Sequence, residues 1–450
     1  MIRRSIAACF LRTVAACLLI AGGASRAAAQ VTVVSSSPTL AEMLQNIYGP
    51  HGLVVESEAV LPDGSTHSAH FNGAFQSEFG QINIALVRQL GALPIPSPAS
   101  GFTYAFDNST GTFVRSTQSF GPILADRAET IGRGRFAFGY SLQQFSFGTF
   151  DGLNLSHIPA VFTHDDFQLG GGRTDVITTN NSISASVSQS TFSLTYGASE
   201  RFDISLGVPL IRTSLSVASD ATIQRIGTAA NPAIHFFRDP DAPGSYGSER
   251  IFVANGSAAG LGDVIVRGKG TAFSTARGGI AVGLEARLPT GRAEDLLGSG
   301  SFGVKAFEAV SATYGRVAPH LNVGYQWNGR TVLSGDVATG VKGDLPDELS
   351  YVVGADVGIE KRLSIAVDVL GRHSADAPRL SSSTFTPAGS QQAFQDIAFG
   401  VGSLNLVSGA FGLKANVAGT MLVTFNLQFK LNDAGVRTKV TPLVGIEYGF

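Results

Sequence analysis

The last residues of the chain alternate in polarity. Thr438, Val440, Pro442, Val444, Ile446, Tyr448 and Phe450 fall on one side of an extended segment, and Lys439, Thr441, Leu443, Gly445, Glu447 and Gly449 on the other. One side is apolar and ends in aromatics; the other is small or polar. Such a strand needs an apolar medium on one face and a wet or polar space on the other. The same pattern recurs upstream. Val423, Phe425, Leu427, Phe429 and Leu431 alternate with Thr424, Asn426, Gln428 and Lys430, and Leu363, Ile365, Val367 and Val369 alternate with Ser364, Ala366 and Asp368. Strands of this kind with an apolar outer face leave no tolerable open edge in lipid, so the fold class expected is all-β, a closed antiparallel transmembrane β-barrel.

The N-terminus points to export. Arg3 and Arg4 precede an apolar run, Arg12 interrupts it, and Ala27-Ala28-Ala29 supplies a small-residue cleavage site before Gln30. Residues 1–29 therefore read as a signal peptide. Both cysteines, Cys9 and Cys17, lie within it, so the mature chain carries no thiol for a disulfide, a metal or a nucleophile. Removing Arg3, Arg4, Arg12 and Arg26 from the 32 basic residues leaves 28 against 34 acidic ones, which argues against a nucleic-acid partner. Charged residues are only 15% of the chain, yet no mature stretch reaches the roughly 18 apolar residues of a spanning helix. The terminal Phe450, with Tyr448 two residues before it, resembles the signal read by the barrel-assembly machinery of the bacterial outer membrane. That resemblance implies the outer membrane as location, with its lipid and that machinery as partners.

Strand pairs read backwards from the C-terminus give about twelve strands over residues 135–450, opening with 135–148. Short turns fall at 199–201, 275–278, 314–316, 360–362 and 417–420, and long segments at 149–182, 218–261, 290–301, 328–347 and 373–406. Short and long connections thus alternate between the two rims. In the first strand Phe136, Phe138, Tyr140 and Leu142 share a face, and the aromatics then shift to Phe145 and Phe147, so a bulge is expected near Gln143-Gln144. A weaker hairpin, Phe102 to Phe106 with Thr112 to Arg115, would raise the count to about fourteen.

Residues 30–134 differ in character. Thr39 and Glu42 form a capping-box pattern ahead of Leu40, Leu44 and Ile47, with Gly49-Pro50 as the stop. A second helical pattern carries Phe79, Ile82, Leu86, Leu90 and Leu93. The segment is expected to plug the lumen or to cap it from the periplasm.

By parity the inward positions include Asp203, Arg212, Asp263, Arg267, Lys430 and Lys439. The residues expected to line the lumen and serve transport are Glu285, Arg287, His320, Asp356, Asp368, Lys414 and Glu447. Both charge signs are mixed, so pairing, hydration or contact with a plug must stabilise them. Patterns for catalysis or metal binding fall short. His67 and His70 lack further ligands at a metal spacing, His164-Asp165-Asp166 reads as a loop, Asp239, Asp241 and Glu249 match no calcium loop, and no Gly-x-Ser-x-Gly elbow is present. The expectation is a protein without a chemical step, cofactor or metal. The alternatives are an outer-membrane lipid or peptide hydrolase and a structural or surface-interaction barrel.

Gly260-Leu261-Gly262-Asp263, Leu288-Pro289-Thr290-Gly291, Gly298-Ser299-Gly300 and Asn322-Val323-Gly324-Tyr325, in this order, resemble the outer-membrane barrels of the phenol-degradation (MetA-pathway) group. The resemblance covers roughly the C-terminal half of the chain. It implies a channel for passive uptake of small hydrophobic or aromatic solutes, whereas the residues of the motifs themselves are expected to serve barrel architecture.

Overall fold

A computed structural model describes residues 119–450 apart from 165–174, 227–234, 239–245 and 388–389, and before them only residues 30–33, 39–49, 53–57, 69–72, 81–86, 88–89, 104–107 and 112–115. The signal-peptide region, His67, Asp165, Asp166, Asp239 and Asp241 lie outside the described residues, as do Phe79, Leu90 and Leu93.

Twelve strands close into one antiparallel barrel. They are β1 (Phe136–Phe150), β2 (Val176–Ser199), β3 (Phe202–Gln224), β4 (Glu249–Leu261 continued by Val264–Thr275), β5 (Gly278–Leu288) and β6 (Gly303–Ala312). The circuit continues with β7 (Val317–Asn328), β8 (Glu348–Glu360), β9 (Leu363–Phe385), β10 (Phe394–Ala418), β11 (Met421–Lys430) and β12 (Val440–Gly449). Each pairs with its sequence neighbour, and β12 returns to β1 from Leu443↔Gln143 to Gly449↔Ala137. Beyond that ladder, Phe136 N donates to Phe450 O at 2.8 Å and Phe450 N to Phe136 O at 2.9 Å, so the last residue completes the seam. Its ring stacks on Phe136 at 5.6 Å. All five expected short turns are present at one rim, the turn rim.

The outer belt is apolar. Phe138, Leu142, Leu194, Ile204, Leu284, Val353, Phe411, Phe425 and Ile446 are exposed side chains of the wall. Phe136, Tyr196, Tyr448 and Phe450 cluster at the turn rim, and Trp327 packs edge-on against Tyr325 at the far end of β7. A closed sheet with an apolar belt and aromatic edges is a membrane-spanning barrel, because the ladder satisfies every backbone group that lipid cannot.

Several expectations are corrected. The hairpin Tyr104–Asp107 with Thr112–Arg115 forms, but as a separate two-stranded sheet, so the barrel keeps twelve strands and not fourteen. No bulge occurs at Gln143-Gln144, since β1 pairs with β2 in unbroken register from Phe136↔Tyr196 to Phe147↔Ala185. Phe145 and Phe147 are inward residues. The irregularities lie farther along the seam: the pairs Arg437↔Thr149 and Thr438↔Phe147 leave Gly148 as an extra residue of β1, and the pairs Thr438↔Phe147 and Leu443↔Gln143 leave one extra residue on the partner strand. The segments expected as long loops are in large part strand: β2, β3, β9 and β10 run for 24, 23, 23 and 25 residues.

These long strands invert their polarity without changing register. Toward the turn rim β2 buries Gln189, Thr191, Ser193 and Thr195 inward and exposes Phe192, Leu194 and Tyr196. Farther up it buries Ile183, Ala185 and Val187 and turns Ser184 outward. β3 does the same, with Leu206 and Leu210 outside below and Ile211, Leu215 and Val217 inside above. Lys439, expected in the lumen, is exposed because its strand carries one extra residue between the pairs Thr438↔Phe147 and Leu443↔Gln143, and Arg212, also expected there, is an exposed outward residue of β3. The physical reason for the inversion is the medium: above the membrane edge water lies outside, and the interior is filled with apolar side chains.

The filling comes from the N-terminal segments. In the short helix α1 (Leu40–Met43) and the turn after it, Leu40, Leu44 and Ile47 are buried, and so are Ile82 and Leu86 of the helical residues 81–86. They share one core with Phe145, Phe147, Ile183, Val187, Leu215 and Phe252. The capping box is not formed: Thr39 precedes the helix, but its Oγ1 donates to Glu42 Oε2 at 2.7 Å and caps no backbone group. Tyr48 reaches Ser219 Oγ at 2.8 Å, and burial pushes its hydroxyl up to about 12.

The inversion is testable within one face of one strand. Leu194→Arg is expected to cost roughly 2–4 kcal/mol near the bilayer midplane and to lower the yield of heat-modifiable barrel. Ser184→Arg, on the same face but beyond the belt, is expected to assemble normally, as gel mobility of boiled and unboiled samples will show.

Candidate functional site

The wall inside the barrel is arranged in two layers. In the layer nearer the turn rim, residues 119–134 run through the lumen and are fastened to the wall. Arg127 Nη2 donates to Asp356 Oδ2 at 2.7 Å, with both side chains almost fully buried. His320 joins the same cluster, its Nε2 lying 2.7 Å from Asp368 Oδ1 and its Nδ1 3.6 Å from Asp356 Oδ1. Lys414 Nζ donates to Pro122 O at 3.0 Å and pairs with Glu447 at 3.1 Å. Lys269 Nζ donates to the carbonyls of Arg127 and Glu129, each at 2.9 Å, and Asp203 accepts from Ile131 N at 3.1 Å. Five of the residues expected to line the lumen, His320, Asp356, Asp368, Lys414 and Glu447, thus face inward but hold one another or the interior segment.

The second layer is a charged belt that follows the hydrogen-bonding register from strand to strand. Antiparallel register sets Arg267 opposite Glu285, Glu285 opposite Lys305, Lys305 opposite Gln326 and Gln326 opposite Glu348. Farther round the wall Arg372 faces Leu406, and Ser408 faces Lys430. Arg267 Nε donates to Glu285 Oε2 at 2.8 Å and its Nη1 to Asp126 Oδ2 at 2.9 Å, while Arg372 grips Glu348 through two bonds of 2.8 Å. Glu285 was legible from parity; Arg372, Glu348, Lys305 and Arg437 were not singled out, although each sits at an inward position of a strand. Arg287 is inward but one step above the belt, where it lies 3.8 Å from Asp263 and donates to Asn328 at 2.7 Å.

The belt surrounds an internal cavity of about 190 Å³. Leu124, Ala125 and Asp126 form its floor, and Gln89 belongs to its roof, donating to Val436 O at 2.9 Å and accepting from Arg372 Nη1 at 3.0 Å. Phe145 and Phe147 supply an apolar arc on β1. Neighbouring Arg88 is drawn down to about 10 by burial, against the opposing field of Glu348, and stays charged at neutral pH.

The glycine-rich motifs resolve into architecture. Asp263 accepts from Gly291 N at 3.1 Å and from Ser299 N and Oγ at 2.8 and 2.6 Å, and Thr290 Oγ1 donates to Gly262 O at 2.6 Å. The loop after β5 is folded back onto the break in β4, and a side chain at Gly298 would collide with Asp263 Oδ1 at 2.3 Å. Asn322 holds the interior segment, accepting from Asp126 N at 2.6 Å and donating to Asp126 O at 2.9 Å. Gly324 makes room for Lys305, whose Cε would lie 2.5 Å from an added Cβ.

No protein-family model and no curated protein matches the chain. Among solved structures, an outer-membrane channel from Pseudomonas putida F1 is similar with 10% sequence identity and a TM-score of 0.43, covering 72% of this chain and 98% of that one. The NanC porin covers 69% and 98% at 8% identity and a TM-score of 0.35, and a FadL homologue from Pseudomonas aeruginosa covers 81% and 96% at 9% and 0.30. These likenesses are distant, and the function has to be read from the geometry of the barrel itself.

Arg127 is the main charge-bearing tie between the interior segment and the wall. Arg127→Ala leaves Asp356 buried beside Asp368 with, among the described residues, His320 as their remaining ion-pair partner, and is expected to destabilise the folded protein by about 3–5 kcal/mol. Adding Asp356→Asn to that variant is expected to restore part of the loss, read as the urea midpoint of refolded protein.

Proposed function

We propose that this chain is a channel of the bacterial outer membrane for passive uptake of small solutes, closed in the state described, with residues 119–134 as its gate. The observation that carries the reading is the cavity: a membrane-spanning barrel with a polar inner wall holds a space lined by two interior segments of its own chain. A barrel of about eight strands fills its interior with wall side chains and one of about sixteen leaves an open pore; twelve leave a lumen that one inserted segment can close. On this reading Glu285 borders the solute path directly. Arg287 borders it from above, and His320, Asp356, Asp368, Lys414 and Glu447 anchor the gate. The mature chain then divides into an interior segment, residues 30–134, and the barrel from 135 onward.

The solute class we favour is small and partly apolar, including aromatic compounds. Two things support it: the apolar arc of Phe145 and Phe147 beside the cavity, and the resemblance of the glycine motifs to the phenol-degradation barrels. Passage is a binding and gating event on this reading, without a chemical step. We further propose that Phe450, whose backbone closes the seam, is read by the assembly machinery. Its deletion is expected to delay the heat-modifiable form in cells, and unchanged kinetics would refute that role.

The gate is tested by locking it. Ala128 of the interior segment packs on Ala281 and Ala309 of the wall, all three fully buried. A chain carrying Ala128→Cys and Ala309→Cys is expected to lose conductance in planar bilayers when oxidised and regain it on reduction. Equal conductance in both states, with the disulfide verified by mass, would remove residues 119–134 as the gate.

A further inference from the structure

The charges around the cavity do not balance. Arg267, Lys305, Arg372, Lys430 and Arg437 line it, against Asp126, Glu285 and Glu348. All three anions are engaged by two of the arginines. Arg267 takes Glu285 and Asp126, and Arg372 takes Glu348. Lys430 is matched by Asp433, outside the cavity. Two cations remain. Among the described residues, no carboxylate stands within ion-pair distance of Lys305 or Arg437.

Arg437 is the more telling. It is only 7% exposed, its Nη2 donates to Val407 O at 2.6 Å and Ser408 Oγ at 2.9 Å, and its buried Nε has no partner. A buried guanidinium held by neutral groups, with a donor left over, is unfavourable unless an acceptor arrives. Lys305 stands on the opposite stretch of wall, with Gly324 clearing space for its stem. The arc beside Arg437 is apolar: Phe147 pairs in register with Thr438, the next residue, and Phe145 and Leu124 continue it. The volume, about 190 Å³, is on the scale of the cavity of about 150 Å³ that accommodates benzene in another protein.

The geometry points to a binding site for one small organic anion, a carboxylate with an apolar body of about one ring, its charge held by Arg437 and Lys305 and its body against Phe145 and Phe147. This inference rests on the channel reading and narrows its solute from partly apolar compounds to apolar anions. The neutral form of the same solute would leave both cations without an ion pair, and a bare small anion such as acetate would leave the aromatic arc uncovered. The site therefore requires both parts of the ligand at once.

The test uses the mature chain purified in detergent, titrated calorimetrically with benzoate, benzyl alcohol and acetate, with potassium chloride conductance measured in parallel. Benzoate is expected to bind at one saturable site, and benzyl alcohol and acetate at least about tenfold more weakly. Arg437→Gln and Lys305→Gln are each expected to weaken benzoate by roughly tenfold or more while changing benzyl alcohol little. Equal affinity for benzoate and benzyl alcohol, or no saturable benzoate binding, overturns the proposal on the wild-type chain alone, whether or not the variants fold. Benzoate affinity unchanged in both folded variants overturns it as well. Conductance without benzoate binding removes this site and leaves the channel; benzoate binding in a chain that never conducts supports the site and removes the channel.

Discussion

Lipid cannot donate or accept a hydrogen bond, so each amide and carbonyl of a spanning strand must find its partner in the next strand, round to the first. That requirement makes the seam between β12 and β1 the element on which the architecture depends. The seam runs from Leu443↔Gln143 to the reciprocal bonds of Phe450 with Phe136. It places the C-terminal aromatic at the turn rim, beside Phe136, Tyr196 and Tyr448. It also fixes where residue 134 hands the chain from the interior to the wall. The segment preceding β1 begins beside the lumen, and residues 119–134 lie within it.

Closure in turn creates an electrostatic problem and the means of solving it. Inward charges lie away from bulk water, and an isolated one there is costly. The barrel answers with two kinds of partner. Register supplies some, as in the row from Arg267 through Glu285, Lys305 and Gln326 to Glu348, where neighbouring strands bring opposite charges side by side. The interior segment supplies others, through Arg127 and through the backbone carbonyls of Pro122, Arg127 and Glu129. Removing the segment would leave Asp356 and Lys269 without these bonds, so a segment attached in this way stays in the lumen unless its ties are exchanged for other partners.

The long strands add a second compartment. Above the lipid belt their outer face turns polar and their inner face apolar, which gives the helical residues near Leu40 and Ile82 a surface to bury against. Without that inversion α1 would be too short to persist in water. The roof of the cavity at Arg88 and Gln89 is thus supported by the same strands whose lower halves face lipid.

What the sequence by itself determined was periodicity: the alternation of apolar and polar residues, the short turns and the inward parity of Glu285, Arg287, His320, Asp356, Asp368, Lys414 and Glu447 all follow from a repeat of two residues along a strand. Parity failed where the medium changed. Arg212 points outward, and the aromatics at Phe145 and Phe147 looked like a slipped phase, because reading apolar as outward holds only within the thickness of the membrane; Lys439 is exposed because an extra residue between the pairs Thr438↔Phe147 and Leu443↔Gln143 shifts the alternation. Which inward residues share a height, and which are matched by residues 119–134, depends on stagger between strands and on a segment about two hundred residues distant from its partners in sequence. Tertiary structure alone decided that Glu285 borders a cavity while His320 and Asp356 cluster with Arg127 of the interior segment, because a charge's role inside a barrel is set by its nearest counter-charge, and only closure brings the two together.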